Sequence, residues 1–352
     1  QLIAAFRYSY AGVQILGGWI VDVAGPRLVF PIAVGVWSAA TLLTMQARSF
    51  GELASSRFML GVGEALNWPC ALKTTERLLT PADRPLANGI FNSGTALGGI
   101  LAPIIVTLLV VRDEWRMPFA VVGALGAVWI VLWFVATRRH GNQLGGGSTS
   151  VREVPGLMLG FARRPDFWRL VTSAVLINGV SYVLADWVPL FLKTEGGFSF
   201  AAGTALSMLV FIGLDAGNLL SGYFVRRAVN RGTPPGRART VALAVSCVGM
   251  SCAVSVGWVS SRYAALGALI VAAMGVAGFL VIYLTAVQDL DPAHVGITSG
   301  MLGGLGNLIY GLISPYIGRL WDLGGTHLMF VLAGTLPWLA YLSVAHVVRR
   351  QS

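Results

Sequence analysis

Residues 57–69 read Arg57-Phe58-Met59-Leu60-Gly61-Val62-Gly63-Glu64-Ala65-Leu66-Asn67-Trp68-Pro69. The stretch is apolar and rich in glycine, yet it carries a permanent cation and an acid seven residues apart. Seven residues are two turns of helix, so the two side chains share one face about 10 Å apart along the axis. Gly61 falls on the same side and is expected to leave room beside them, and Asn67 and Trp68 continue the stripe. An ionisable group inside a bilayer costs roughly 2.5–3.5 kcal/mol on insertion scales and marks a pathway or a polar interior. Whether residues 57–69 lie in a membrane therefore decides the fold.

The rest of the chain answers that question. Of 352 residues, 55% are hydrophobic and only 11% charged, with mean hydropathy +0.72. A soluble chain carries about a quarter charged residues, so a soluble enzyme and a disordered chain are both excluded. A bilayer core takes about 20 apolar residues per helix. Eleven segments qualify: 3–21, 28–47, 53–72, 86–110, 116–137, 169–192, 203–225, 240–260, 262–287, 295–318 and 325–347. The expected fold is an all-α membrane protein. The net charge of +10 sits between apolar runs, which points to the membrane surface rather than nucleic acid. Seventeen basic residues fall on one side of the expected topology, among them Arg27, Lys73, Arg77, Arg138, Arg226 and Arg350. Six fall on the other: Arg48, Arg112, Arg116, Lys193, Arg262 and Arg319. The positive-inside rule places the richer side, with the 138–168 linker and the C-terminus, in the cytoplasm.

Two spacings suggest a duplication. Pro81-Ala82 with Gly89 recurs as Pro292-Ala293 with Gly300, at offset 211, and Gly18-Trp-Ile-Val-Asp22 recurs as Gly222-Tyr-Phe-Val-Arg226, at offset 204. Each could arise by chance. Together they suggest parallel halves, an arrangement found in transporters. The sixth segment has no partner upstream of residue 1, so the expectation is a six-plus-six parent of which this chain shows eleven spans. A true eleven-span protein is the alternative. The expected parts are an N-terminal bundle 1–137 lacking the first helix, a cytoplasmic linker 138–168 containing Gly145-Gly146-Gly147, and a C-terminal bundle 169–352 of six helices.

Several residues now resemble a known family. Gly18-x-x-x-Asp22-x-x-Gly25-x-Arg27 is similar to the signature loop of the major facilitator superfamily. The stretch from Arg57 to Pro69, with Lys73 and Gly89-Ile-Phe-Asn92-Ser-Gly94, resembles its anion:cation symporters, above all bacterial hexuronate and aldonate transporters. Asp215-Ala-Gly-Asn218 and Val287-Gln288-Asp289-Leu290 also fit. The signature loop usually has a basic residue after its Asp; Val23 stands there, which would weaken a cytoplasmic latch. The resemblance implies two pseudo-symmetric bundles around a central cavity and alternating access. It also implies proton-coupled import of a sugar acid such as a hexuronate or aldonate, in a bacterial inner membrane, by a monomer.

The expected roles follow from the chemistry. Arg57 can grip a carboxylate with its fork and stays charged, and a partly buried carboxyl such as that of Glu64 suits proton carriage. A structural ion pair between helices is the competing reading. Asp215 is a second proton candidate, against a packing role. Asn67, Asn92, Thr95, Asn178, Tyr182, Asn218, Asn307 and Tyr10 are candidates to hold the substrate, against interhelical hydrogen bonding. Gly18, Asp22, Gly25 and Arg27 are expected to gate. Cys70, Cys247 and Cys252 lie in apolar runs as small core residues, no metal-ligand spacing or nucleophile motif is visible, and no cofactor is expected. Another organic anion, aromatic or dicarboxylic, or a sensor of the same fold that has lost transport, remains the alternative.

Overall fold

A computed structural model describes residues 2–110, 115–147, 149–194 and 200–351. Arg112 of the orientation count lies outside them. The chain is helical along nearly its whole length: α1 (Leu2–Ala24), α2 (Pro26–Gln46), α3 (Phe50–Glu64), α4 (Asn67–Leu78), α5 (Arg84–Val110), α6 (Met117–Thr137), a single turn α7 (Gly141–Leu144), α8 (Val154–Ala162), α9 (Pro165–Thr194), α10 (Phe200–Asn230), α11 (Pro235–Ser251), α12 (Arg262–Leu290), α13 (Val295–Asp322) and α14 (Thr326–Arg350).

Among the described residues, nine helical segments are long and apolar enough to cross a membrane, two fewer than the eleven expected. Both of the others are helical. The first, α1, is diluted by Arg7, Ser9 and Gln14. The second, 53–72, is divided into α3 and α4, and Pro69 supplies the reason. It has no N–H to offer the carbonyl one turn back, at Ala65, so the ladder is interrupted there. Leu66 relaxes to φ −89°, ψ −4°, and Cys70 resumes the pattern by donating to the Leu66 carbonyl at 3.0 Å. The start of α3 is well capped: Ser49 Oγ accepts from the Glu52 N–H at 3.2 Å, and Glu52 Oε2 accepts from the Arg48 N–H at 2.6 Å, close to a capping box.

Two compact units form. The first comprises 1–79, 102–167 and 287–311; the second comprises 80–101, 168–286 and 312–352. Helices α5 and α13 each contribute to both. In the first unit α2 meets α6 through small residues and aromatics. A Cβ at Gly126 would fall on Ser38, and Trp129 and Trp133 stack with centroids 5.3 Å apart beside Phe30. In the second unit α10 lies against α12 at Gly213 and Gly217, whose Cβ positions face the Ile270 and Met274 carbonyls. There α11 and α14 run antiparallel, tied by Ser251 Oγ to the Gly334 carbonyl at 3.2 Å, Cys247 Sγ to the Pro337 carbonyl at 3.4 Å and Trp338 Nε1 to Ser251 Oγ at 3.0 Å.

Candidate functional site

Arg57 and Glu64 lie two turns apart on α3, while the break at Leu66 puts Asn67 and Trp68 at the start of α4. Arg57, Glu64 and Asn67 are all half-buried. Neither Arg57 nor Glu64 has an ion-pair partner within 4 Å among the described residues. The space beside Gly61, however, is filled. A Cβ there would strike Ser9 Oγ and stand 2.6 Å from the Phe6 carbonyl and 3.1 Å from the Tyr10 nitrogen. Gly61 admits the backbone of α1 rather than a ligand, and it brings Tyr10 to the edge of the stripe. Gly63 likewise admits α2 at Trp37. Arg7 lies over the Tyr310 ring at 5.7 Å.

Asp22 is fully buried and so is Lys73, and they form an ion pair at 3.1 Å. The remaining capacity of both groups is spent at the start of α13. Asp22 accepts from the Gly296 N–H at 3.1 Å and from the Ile297 N–H at 2.7 Å, where unsatisfied donors and the helix dipole favour an anion. Lys73 donates to the Pro292 and Ala293 carbonyls at 3.3 and 2.6 Å. Val23 therefore leaves the contact intact, because Lys73 on α4 brings the cation. Gly18 makes the crossing possible: its Cβ position falls on the Gly296 carbonyl and 3.0 Å from the Gly300 Cα. Gly25, at φ +80°, turns the chain from α1 into α2 in a conformation that favours glycine.

The linker is bound to this loop. Leu144 is fully buried. Arg77 donates to the Gln143 and Gly146 carbonyls, both at 3.1 Å. A Cβ at Gly147 would strike the Asp22 and Val23 carbonyls, and one at Gly141 would strike Arg27. Composition alone reads 138–168 as a linker. Here Gly147 serves close approach to the backbone of residues 22 and 23.

The amide residues are brought together in pairs. Asn92 on α5 donates to Asn218 on α10 at 2.8 Å. Asn307 on α13 donates to Gln14 on α1 at 3.0 Å, and Gln14 is only 2% exposed. Gln14 was missed by sequence reasoning, as was Asn88, which donates to Thr285 at 3.2 Å; Gln288, quoted above within Val287–Leu290, donates to the Leu72 carbonyl at 2.8 Å. Gln14 had a signal, since it lies 204 residues before Asn218, the offset of the duplication. The correspondence extends to contacts. The Gln14 carbonyl faces Gly300 as the Asn218 carbonyl faces Gly89, and Gly222 meets Pro85 and Leu86 as Gly18 meets Gly296 and Gly300. Arg226, at the position of Asp22, pairs with Asp83 at 2.8 Å. Asp215 Oδ1 is buried without a hydrogen-bond partner. Thr95 is exposed, and Asn178 and Tyr182 are half-buried one turn apart on α9. No group of three His, Cys, Asp or Glu among the described residues is placed to hold a metal.

Long apolar helices that keep a cation, acids and amides in their interior define a multi-pass membrane transporter. The Major Facilitator Superfamily model matches residues 1–315, and the chain belongs to that family. It is 28% identical over 369 residues to a hexuronate transporter of Bacillus subtilis, covering 99% of this chain and 85% of the relative. It is 29% identical to a "Probable sulfoacetate transporter" of Cupriavidus necator, with 95% and 81% covered. It is 24% identical to a D-galactonate transporter of Escherichia coli, with 99% and 87% covered. The crystal structure of a bacterial ferroportin homologue in an outward-facing state superposes with TM-score 0.76 at 17% identity, over 99% of this chain and 90% of that one. The E. coli fucose:proton symporter gives 0.75 at 12%, over 100% and 90%. These likenesses establish the fold. The chain is a transporter and not an enzyme.

Proposed function

We propose that this protein imports a sugar acid, a hexuronate or an aldonate, together with protons, by alternating access of two pseudo-symmetric bundles to a midplane site. The observation that carries the reading is the α3 stripe: a half-buried guanidinium and a half-buried carboxyl, on one face of α3, neither consumed by an ion pair. Arg57 binds the substrate carboxylate and Glu64 carries the proton. Asp215, with a carboxylate oxygen unsatisfied and buried, is a second proton site, since such a group is costly unless it serves a purpose. Asn67, Asn92, Thr95, Asn178, Tyr182, Asn218, Asn307 and Tyr10 supply contacts to hydroxyls. Asp22, held by Lys73 at the start of α13, is the latch that must open in each cycle, with Gly18, Gly25 and Arg27 shaping its loop. The linker side faces the cytoplasm of a bacterial inner membrane, and the protein works as a monomer. The names of the hexuronate and galactonate transporters support the substrate class.

Proteoliposomes with an imposed pH gradient test this. Uptake of labelled glucuronate or galactonate should follow the gradient and collapse with a protonophore. Gradient-independent uptake would remove the coupling, and failure of every uronate and aldonate to compete would remove the substrate class. The sulfoacetate relative favours a second reading, in which the anion is a sulfonate. Competition by sulfoacetate stronger than by any sugar acid would select it.

A further inference from the structure

We infer that the seam between α11 and α14 is a binding site for an anionic phospholipid, in the leaflet on the linker side of the membrane. A groove of about 540 Å³ runs along that seam, lined among others by Arg237, Thr240, Val241, Ala244, Tyr341 and Arg349. The antiparallel ties fix its polarity. Cys247 meets Pro337 and Ser251 meets Gly334, so continuing the register sets Arg237 and Arg349 at one level and Ala244 and Tyr341 at another, about 10 Å deeper. The upper level is the helix-end level, where the polar region of a bilayer lies. The lower level is within the span.

The upper level is built for an anion. Arg237 is exposed and has no ion-pair partner among the described residues. The helix that carries it begins Pro234-Pro235-Gly236-Arg237 with no side-chain cap. Prolines have no N–H, so the N–H groups of Gly236 and Arg237 and the positive end of the helix dipole point out of α11 without a capping side chain. Arg349 adds a second guanidinium from the last turn of α14.

The lower level is built for hydrocarbon. Val241 lines the groove and is 43% exposed. Val245 and Val248 continue its face of α11 at 64% and 60%, and Leu342 stands at 67% beside Tyr341. In a membrane these side chains meet acyl chains. A free phosphate would satisfy only the upper level, whereas a lipid with a net negative headgroup satisfies both. Basic pockets at helix ends on the cytoplasmic side are physically suited to such headgroups.

The experiment is native mass spectrometry of the full chain in detergent, titrated with phosphatidylglycerol, phosphatidylcholine or inorganic phosphate. Phosphatidylglycerol should be retained in preference to phosphatidylcholine. Arg237→Gln or Arg349→Gln should each weaken that retention about fivefold, and the pair about thirtyfold. Arg237 is exposed, so Arg237→Gln should keep the wild-type melting temperature. Ala244→Phe fills the deep end and should reduce phosphatidylglycerol retention with both arginines in place. Equal retention of the two lipids by the wild type overturns the proposal, as does an Arg pair variant that binds like the wild type. Phosphate adducts that compete with phosphatidylglycerol while Ala244→Phe has no effect would also overturn it, in favour of a soluble-anion site.

Discussion

Asp22 and Lys73 are joined at 3.1 Å with both side chains buried, and between them they hold two N–H groups and two carbonyls at the start of α13. A buried pair of this kind is weak as a net source of stability, but removing one partner leaves the other charge uncompensated, at a cost of about 3–5 kcal/mol. Asp22→Asn and Lys73→Met should each lower the melting temperature sharply in detergent. The double variant should recover part of the loss, because neither charge is then stranded. Strictly additive losses would mean that the two groups do not act as a pair.

Glu64→Gln keeps the shape of the stripe and removes its titration. Accumulation driven by a pH gradient should vanish, while exchange of labelled for unlabelled substrate across the membrane continues. Persistent gradient-driven accumulation would take Glu64 out of the coupling.

Arg57→Lys keeps the charge and loses the planar fork. Because a bidentate grip on a carboxylate needs that fork, substrate binding measured by titration calorimetry should fall below detection. Unchanged affinity would show that Arg57 acts as a distant charge only.

Asn92 and Asn218 share one hydrogen bond. Replacing either with Ala should cost about 0.6 kcal/mol, the average for such a bond between membrane helices. The double variant should cost little more than one single, since the bond can be lost only once. If Asn92 also holds a hydroxyl of the substrate, Asn92→Ala raises KM beyond what its small effect on folding explains. A KM like that of the wild type would restrict Asn92 to packing.

Two glycines offer a matched comparison. A Cβ at Gly300 would stand 2.6 Å from the Gln14 carbonyl, and one at Gly98 would meet nothing within 4 Å. Gly300→Ala should therefore cost about 1–3 kcal/mol through overpacking against backbone. Gly98→Ala should stabilise α5 by about 0.5–1 kcal/mol through lower chain entropy. Thermal unfolding of the two variants side by side checks the sign of each.

Much of the fold was legible because apolar length is written directly in the sequence. Helix ends fall within a few residues of the expected ones for α2, α5, α6, α12, α13 and α14, while α11 stops at Ser251, short of the expected 260, and the short helices α7 and α8 inside the linker were not expected. The break at Pro69 was equally visible, but a long apolar run outweighed a single missing donor. The Arg57–Glu64 face follows from helical periodicity alone. What lies opposite Gly61 does not, because a small residue leaves the same gap for a neighbouring backbone as for a ligand, and only tertiary packing fills it. The Asn92–Asn218 and Gln14–Asn307 pairs join residues far apart in the chain. Each amide by itself reads equally well as a substrate contact or a helix tie. Within the linker, composition does not show that Gly147 is small so that two carbonyls can lie against it.

The contacts of α1 with α13, and of α5 with α10, rest on glycine against main chain at Gly18, Gly300, Gly89 and Gly222. Interlocked bulky residues would have to change rotamer before such surfaces could part, and each change would add to an activation barrier. Bare backbone has no teeth to disengage. Under the proposed alternating access, these seams would part along backbone, with the Asp22, Gln14–Asn307 and Asn92–Asn218 hydrogen bonds as the ties to release once for every molecule carried.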